Sequence, residues 1–137
     1  IGFCTGSVSI EARLQFPHLV ITAFEKRPQG KELLDSNSRR FGAPGINGVI
    51  CDFMDADTNL YPAPDAVFIG GHGGQMKEML ETIDRVLLPG GVIVFNSVSD
   101  ESAAAFHQGI ESIGRHITGC TRMAVDEHNP ILIMKAE

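Results

Sequence analysis

The sequence has 137 residues, of which 43% are hydrophobic and 20% charged, a composition that suits one globular domain with a hydrophobic core. A formal net charge of −6 and the lack of a basic stripe argue against nucleic-acid binding. No apolar run approaches the roughly 18 residues that span a bilayer, and no secretory signal is visible. We therefore expect no membrane partner. The widely spaced cysteines form no CxxC pair, which predicts free thiols in a cytoplasmic protein.

Short apolar runs alternate with longer amphipathic stretches along the whole chain. The runs are nearly continuous in apolar character, which indicates strands buried on both faces. Such alternation predicts an α/β fold in one domain over residues 1–137, with a mostly parallel sheet and helices on both faces. Strands are predicted over 19–24, 49–51, 66–69, 92–95 and 131–134. Helices are predicted over 7–15, 29–41, 75–87 and 100–113, and residues 115–123 and 130–135 are expected to pair as an antiparallel C-terminal hairpin.

A glycine-bearing turn, Gly2-Phe3-Cys4-Thr5-Gly6, leads directly into the first predicted helix. Glycines permit positive φ and let a ligand approach the backbone closely. The helix behind the turn offers N–H groups to an anionic or polar ligand. Glu25 follows Gly6 by nineteen residues, at the end of a predicted strand, which suits a carboxylate that accepts hydrogen bonds from two ribose hydroxyls. An ordinary strand–turn–helix unit with a surface glutamate explains the same residues.

Two further segments follow predicted strands. Asp52 could accept a hydrogen bond from an adenine amino group and Phe53 could cover the ring, although an aspartate alone is more often a turn or N-cap residue. Four glycines surround His72 in residues 70–74, directly after the strand over 66–69. A flexible loop would have this composition, but ligands of open α/β sheets bind at the carboxyl ends of strands. Both segments therefore favour a ligand site.

Three motifs carry a resemblance to a known family: residues 2–11 (GFCTGSVSIE), 64–74 (PDAVFIGGHGG) and 88–98 (LPGGVIVFNSV). Together they resemble the decarboxylating precorrin methyltransferases, which form the C-terminal part of precorrin-6Y C5,15-methyltransferase or a separate subunit in cobalamin biosynthesis. The likeness covers nearly the whole chain. It implies a Rossmann-like class I methyltransferase fold, S-adenosylmethionine as cofactor, and methylation of carbon 15 of a precorrin with loss of carbon dioxide from the ring C acetate.

The resemblance also implies a set of cofactor-binding residues. The turn would line the methionine end, Glu25 would hold the ribose, Asp52 and Phe53 would contact the adenine, and Gly70 with Gly71 would lie under the transferred methyl group. The full set is Gly2, Phe3, Cys4, Thr5, Gly6, Glu25, Lys26, Asp52, Phe53, Gly70 and Gly71.

Precorrins carry many carboxylates, so an acidic protein has to supply local cations for them. Arg122 in the predicted hairpin is the preferred candidate, ahead of Arg39 and Arg40, which are placed to cap a helix C-terminus. His72 could donate to a substrate carboxylate or move a proton, and an exposed loop histidine is the alternative. Asn96 and Ser97, at the end of the predicted strand over 92–95, could contact the macrocycle, although an ordinary turn at the end of a strand explains Asn96 equally well. The residues assigned to substrate are His72, Gly73, Asn96, Ser97 and Arg122.

No catalytic triad is expected, because methyl transfer needs no nucleophilic side chain, and the serines and histidines form no known nucleophile pattern. No metal site is expected either, since His107, His116 and His128 lack metal-ligand spacing with carboxylates or cysteines. Relatives form homotetramers, so the resemblance implies a homo-oligomer with a small tetrapyrrole as its partner.

The sequence departs from the family pattern in two places. Cys4 stands where the family usually has a middle glycine, so its side chain is expected to reduce cofactor affinity or displace the turn. The sequence also starts where the first strand should end, so that strand is expected to be missing from a longer natural protein, leaving a central position of the sheet unfilled.

Three other functions fit parts of the pattern. A methyltransferase of the same fold acting on another small molecule would keep the same cofactor residues. A nicotinamide dehydrogenase needs G-x-G-x-x-G, and Cys4 replaces its second glycine. A non-catalytic assembly or regulatory domain would have Cys4 as the mark of a decayed site.

Overall fold

The chain divides into two compact units, Ile1–Asp57 and Thr58–Glu137. A computed structural model describes residues 1–125 and 128–137, and the side chains of 1–124 and 130–137. The strands lie in two sheets, a two-stranded one in the first unit and a four-stranded one in the second, where the sequence predicts a single sheet. None of the helices within the described residues is long and apolar enough to cross a membrane.

The first unit packs two helices against a parallel pair of strands. Strand residues Ile21 and Glu25 lie opposite Ile46 and Ile50, so both strands end at the same edge. Phe24 and Glu25 are buried at that edge. The elements of this unit are α1 (Ser7–Gln15), β1 (Ile21–Glu25), α2 (Gly30–Phe41), β2 (Ile46–Ile50) and a short 3-10 segment, Phe53–Asp55.

Leu34 is the centre of the core of the first unit. Its side chain is 1% exposed and packs with Ile10 and Ala43. Glycines flank both of its terminal methyl groups: a Cβ at Gly6 would overlap Cδ1, and a Cβ at Gly48 would lie 2.6 Å from Cδ2. The absence of side chains at these two positions therefore allows α2 to pack closely on β2 and on the start of α1.

The second unit is a mixed sheet with the strand order β3-β4-β6-β5. β3 and β4 are parallel, whereas β6 runs antiparallel to both β4 and β5. Its core includes Ile69, Leu80, Phe95 and Phe106, all nearly inaccessible to solvent. The elements are a 3-10 segment (Thr58–Leu60), β3 (Ala66–Ile69), α3 (Met76–Val86), β4 (Val92–Ser97), α4 (Asp100–Ser112), β5 (Ile117–Val125) and β6 (His128–Ala136).

The predicted α/β class and the antiparallel C-terminal hairpin are confirmed. β2 begins at Ile46, three residues before the predicted start. Asn47 and Gly48 have low strand propensity and hide this start in the sequence, but pairing with β1 includes them in the ladder. α4 begins at Asp100, as predicted, and Ser99 caps it, because its hydroxyl accepts a hydrogen bond from the N–H of Ser102.

Candidate functional site

The glycine-bearing turn at the start of the chain has an unusual backbone. Gly2, Cys4 and Gly6 all have positive φ, at 70°, 53° and 83°. The turn is fixed to β1, because the N–H groups of Gly2 and Phe3 both donate to the carbonyl of Phe24, at 2.8 and 3.2 Å. Gly6 then begins α1, and no side chain caps this helix. The backbone of the turn thus takes the open, left-handed form that the glycines predict.

Glu25 points towards this turn. Its side chain is 5% exposed, and its Oε2 accepts a hydrogen bond of 2.8 Å from the N–H of Cys4. Arg27 supplies the other donors: its N–H and Nε bond Oε1 at 3.1 and 2.8 Å, and its Nη2 bonds Oε2 at 3.2 Å. The structure therefore brings together the two features on which the predicted nucleoside site depends.

The environment keeps Glu25 ionised. The side-chain hydrogen bond from Arg27 is the largest influence and lowers the pKa of Glu25 to about 2. Burial opposes this shift, while the backbone N–H groups of Arg27 and Cys4 support it. At neutral pH the side chain is thus a buried carboxylate, a stronger hydrogen-bond acceptor than a neutral oxygen.

Gly30 and Asn37 on α2 support the site and were not found from the sequence. A Cβ at Gly30 would lie 2.6 Å from Cγ of Glu25 and 3.3 Å from the ring of Phe3, so only glycine lets α2 begin this close. The Asn37 amide donates to the carbonyl of Thr5 at 2.9 Å and ties α2 to the turn. For Gly30, the sequence offers only a glycine that follows Pro28 and Gln29, and this pattern indicates an ordinary turn as readily as a close contact with Glu25.

Asp52 and Phe53 lie just beyond the end of β2. Asp52 accepts a hydrogen bond of 3.1 Å from the N–H of Met54 and so caps the 3-10 segment, which is the turn role considered for it above. Phe53 is 7% exposed and packs edge-on against Phe24, with 5.4 Å between ring centroids. The side chain of Lys26 is exposed next to Glu25 in the sequence.

The glycine loop of the second unit follows β3 as predicted. Gly70 and Gly71 are exposed, and Gly73 and Gly74 have φ of 55° and 85°. A Cβ added at Gly71 or Gly74 would meet no other atom within 4 Å. Open space thus lies beside the backbone of this loop within the described residues.

His72 is held by its own loop and by α4. Its Nδ1 accepts a hydrogen bond of 3.2 Å from the N–H of Gly74, and its Nε2 lies 3.3 Å from Oγ of Ser102. Because a backbone N–H can only donate, Nδ1 must be unprotonated, and Nε2 of the neutral ring carries the proton. The ring edge also packs on Phe95, 5.9 Å between centroids. Ser102 is a further residue that sequence reasoning missed.

The remaining substrate candidates differ in exposure. Asn96 is half-buried on β4, and Arg122 is exposed on β5. Ser97 is 2% exposed, and its hydroxyl donates to the carbonyl of Ser99 at 2.7 Å, so it stabilises the end of β4. Arg39 and Arg40 lie in the last turn of α2, in the first unit.

No group of three or more histidine, cysteine or acidic residues within the described part of the chain could hold a metal ion. His107 pairs instead with Glu111, one helical turn away, at 3.5 Å. The side chain of His128 lies outside the described residues. Cys4, Cys51 and Cys120 are free thiols.

Replacing Cys4 with Gly is expected to stabilise the protein by about 0.5–1 kcal/mol. A side chain at positive φ costs about 1–2 kcal/mol, and the greater freedom of an unfolded glycine offsets about 0.4–1 kcal/mol of that gain. Urea unfolding followed by circular dichroism measures the change. Cys120→Gly is the matched control, because this exposed cysteine lies within β5 and has no positive φ, so its loss should destabilise. A destabilised Cys4→Gly variant would contradict the strain at this position.

Replacing Ser102 with Ala is expected to lower the free energy of unfolding by about 1–3 kcal/mol, because its hydroxyl is hydrogen-bonded both to Nε2 of His72 and to Oγ of Ser99, and each bond contributes about 0.5–1.5 kcal/mol. Ser102→Thr keeps the hydroxyl and should recover most of this loss.

Nitrogen-15 NMR of the histidine rings measures directly which ring nitrogen of His72 carries the proton. We expect neutral His72 to be protonated at Nε2, and a proton at Nδ1 would show that the Gly74 hydrogen bond does not form.

The chain is similar to known proteins in sequence and in fold. The sequence model of a family described as "Precorrin methyltransferase domain" matches residues 1–136. A relative from Salmonella typhimurium, named cobalt-precorrin-6B C(15)-methyltransferase (decarboxylating), is 34% identical over 133 residues, which are 96% of this chain and 67% of the relative. A Sinorhizobium relative, named precorrin-6Y C(5,15)-methyltransferase (decarboxylating), is 35% identical over 104 residues, 76% of this chain but 25% of the relative. A crystal structure of precorrin-6y C5,15-methyltransferase from Geobacter metallireducens has a TM-score of 0.87 and 34% identity, and the match covers 100% of this chain and 76% of that one.

Proposed function

The chain belongs to the precorrin methyltransferase family, and from this premise we propose that it methylates carbon 15 of a precorrin and removes carbon dioxide from the ring C acetate, in cobalamin biosynthesis. The methyl donor would be S-adenosylmethionine. The names of the relatives and the motifs in the sequence support this activity. The observation that carries the proposal is the hydrogen bond from the Cys4 N–H to the buried carboxylate of Glu25, because it joins the glycine turn to the acceptor that a ribose requires.

The residues of the first unit fit a nucleoside-bearing cofactor. Glu25 is ionised, buried and directed at a turn whose backbone is open, and this combination suits a ribose diol beside a close-packed backbone. Phe53 is buried against Phe24, so only its small exposed fraction is available to an adenine ring next to Asp52. The cofactor-binding residues that we propose are Gly2, Phe3, Cys4, Thr5, Gly6, Glu25, Lys26, Asp52 and Phe53, to which the family resemblance adds Gly70 and Gly71.

The chemistry asks the protein mainly for orientation. S-adenosylmethionine supplies an electrophilic methyl group on a sulfonium, and an electron-rich carbon of the conjugated macrocycle is the acceptor. Holding two reactants in line can lower the activation barrier by roughly 7–11 kcal/mol. In the decarboxylation the bond between the acetate methylene and its carboxylate breaks, the electron pair enters the conjugated system, and a proton is taken up at the methylene.

The second unit supplies the candidates for substrate contacts. His72 has its proton on Nε2, which lies 3.3 Å from Oγ of Ser102, so this nitrogen could donate a hydrogen bond to a substrate carboxylate in exchange for Ser102. Arg122 is exposed on β5 and is available to a carboxylate in a chain whose net charge is −6. The substrate-binding residues that we propose are His72, Gly73, Asn96 and Arg122, with the buried Ser97 holding the end of β4 in place. We also propose a homo-oligomer, as the family resemblance implies.

Calorimetric titration with S-adenosylhomocysteine and, separately, with NAD tests the cofactor. We expect the first ligand alone to bind, and binding of NAD alone would overturn the proposal in favour of a dehydrogenase.

Incubation with cobalt-precorrin and metal-free precorrin substrates, each with methyl-labelled S-adenosylmethionine, tests the reaction through labelled product and released carbon dioxide. Cofactor binding without turnover of either substrate would indicate a methyltransferase for another small molecule. Failure to bind the cofactor would indicate an assembly domain.

A further inference from the structure

Arg27 occupies the carboxylate that the proposed cofactor site needs. Its guanidinium bonds both oxygens of Glu25, through Nε at 2.8 Å and Nη2 at 3.2 Å. We propose that in the ligand-free protein Arg27 blocks both carboxylate oxygens of Glu25 and has to swing away before a nucleoside can bind. Arg27 thereby lowers the affinity for the nucleoside. This inference rests on the proposed function, since it concerns the same site.

The hydrogen bonds to Glu25 use the whole acceptor capacity of its side chain. A carboxylate has about four lone-pair sites on its two oxygens. Oε1 accepts from the N–H and the Nε of Arg27, and Oε2 accepts from the N–H of Cys4 and from Nη2 of Arg27. Two donors are backbone groups that belong to the fixed frame of the site. The other two belong to the guanidinium and fill one position on each oxygen.

A ribose diol needs the positions that the guanidinium fills. Its two neighbouring hydroxyls donate two hydrogen bonds, and a carboxylate can accept them one on each oxygen. The planar fork of an arginine makes the same bidentate pair of bonds. Arg27 and the diol therefore compete for Glu25, whereas the two backbone donors can stay in place in both states.

Arg27 rather than Glu25 is the partner that can move. The side chain of Arg27 is 56% exposed, whereas that of Glu25 is 5% exposed. Gly30 packs so closely on Glu25 that even a Cβ there would lie 2.6 Å from its Cγ. An exposed cation is readily solvated when it leaves its partner, and this solvation offsets part of the bidentate bonding that the guanidinium gives up. Ligand binding is thus expected to displace the guanidinium into solvent while the carboxylate keeps its direction.

The test is the affinity of Arg27→Ala for S-adenosylhomocysteine by calorimetry. We expect binding about two- to fivefold tighter than in the unmodified protein, the fold-change for removing a competing cation that is itself solvent-exposed. Lys31→Ala is the matched control, because it also removes one positive charge from an exposed pair near the start of α2, the 2.7 Å bond to Asp35. This control should leave the affinity unchanged. Both variants alter exposed side chains and are expected to fold, which thermal unfolding verifies.

A second pair of ligands separates competition for the diol from a general charge effect. Adenosine should gain affinity in Arg27→Ala, whereas 2′,3′-dideoxyadenosine, which lacks both hydroxyls, should not. Weaker or unchanged binding of S-adenosylhomocysteine by Arg27→Ala, with binding intact in the unmodified protein, would overturn the role of Arg27 and leave the proposed function standing. Lack of binding by the unmodified protein and by all variants would instead refute the proposed function, and this inference with it.

Discussion

Glu25→Gln is expected to weaken S-adenosylhomocysteine binding by about 10- to 100-fold, because a hydrogen bond to a charged group contributes about 1.5–3 kcal/mol. The amide also places a donor against donors, since the N–H groups of Cys4 and Arg27 already point at this side chain. Isothermal titration calorimetry measures the change. Asp35→Asn is the control, because it neutralises a more exposed carboxylate of α2 that pairs with Lys31. Equal affinities in Glu25→Gln and the unmodified protein would remove Glu25 from the site.

The same variant has a signature in acid. The pKa of Glu25 in the folded protein is lowered from 4.5 to about 2, chiefly by the side-chain hydrogen bond from Arg27. A depressed pKa in the folded state stabilises the protein above the ordinary pKa, and this stabilisation is lost as the pH falls towards 2. Between pH 4.5 and about 2, the free energy of unfolding should therefore fall less steeply with falling pH in Glu25→Gln than in the unmodified protein. Urea unfolding at a series of pH values measures this slope.

Gly6→Ala is expected to destabilise the protein by about 2–4 kcal/mol, as the sum of a side chain at positive φ and overpacking of the core. The new Cβ would overlap Cδ1 of Leu34, and Leu34 has little room to yield because Gly48 confines its other methyl group. Urea unfolding gives the free energy. Gly42→Ala isolates the first contribution, since Gly42 has φ of 67° and open space around it. If the two variants lose equal stability, the contact with Leu34 has no energetic weight.

The sequence predicted those features that local patterns determine. The first helix was predicted over 7–15 and lies at Ser7–Gln15, because Gly6 before it and Pro17 after it mark its limits. The strand before Glu25 follows from a run of β-branched and apolar residues, and β1 ends at Glu25 itself. A carboxylate that ends a parallel strand must lie at the edge where ligands bind, so the meeting of Glu25 with the turn could be foreseen.

The partners of these residues could not be foreseen, because they come from tertiary contacts without a fixed spacing. Asn37 contacts Thr5 across 32 positions of the chain, and Ser102 contacts His72 across 30. Arg27 is only two residues from Glu25, but β1 ends at Glu25, so the side-chain alternation of a strand does not determine where Arg27 points. Only the turn after β1, where the N–H of Arg27 bonds back to Glu25, brings its guanidinium onto the carboxylate.

The strand order of the second unit has a consequence for how the chain acquires its structure. β6 is made after β5, yet it lies between β4 and β5 and is the only neighbour of β5 among the described strands. During synthesis on the ribosome, β3 and β4 can pair early, while the backbone N–H and C=O groups along one side of β4 stay unpaired until β6 has been made. Such an exposed strand edge can pair with other nascent chains and cause aggregation. We therefore expect this half of the molecule to complete its folding only after β6 has emerged.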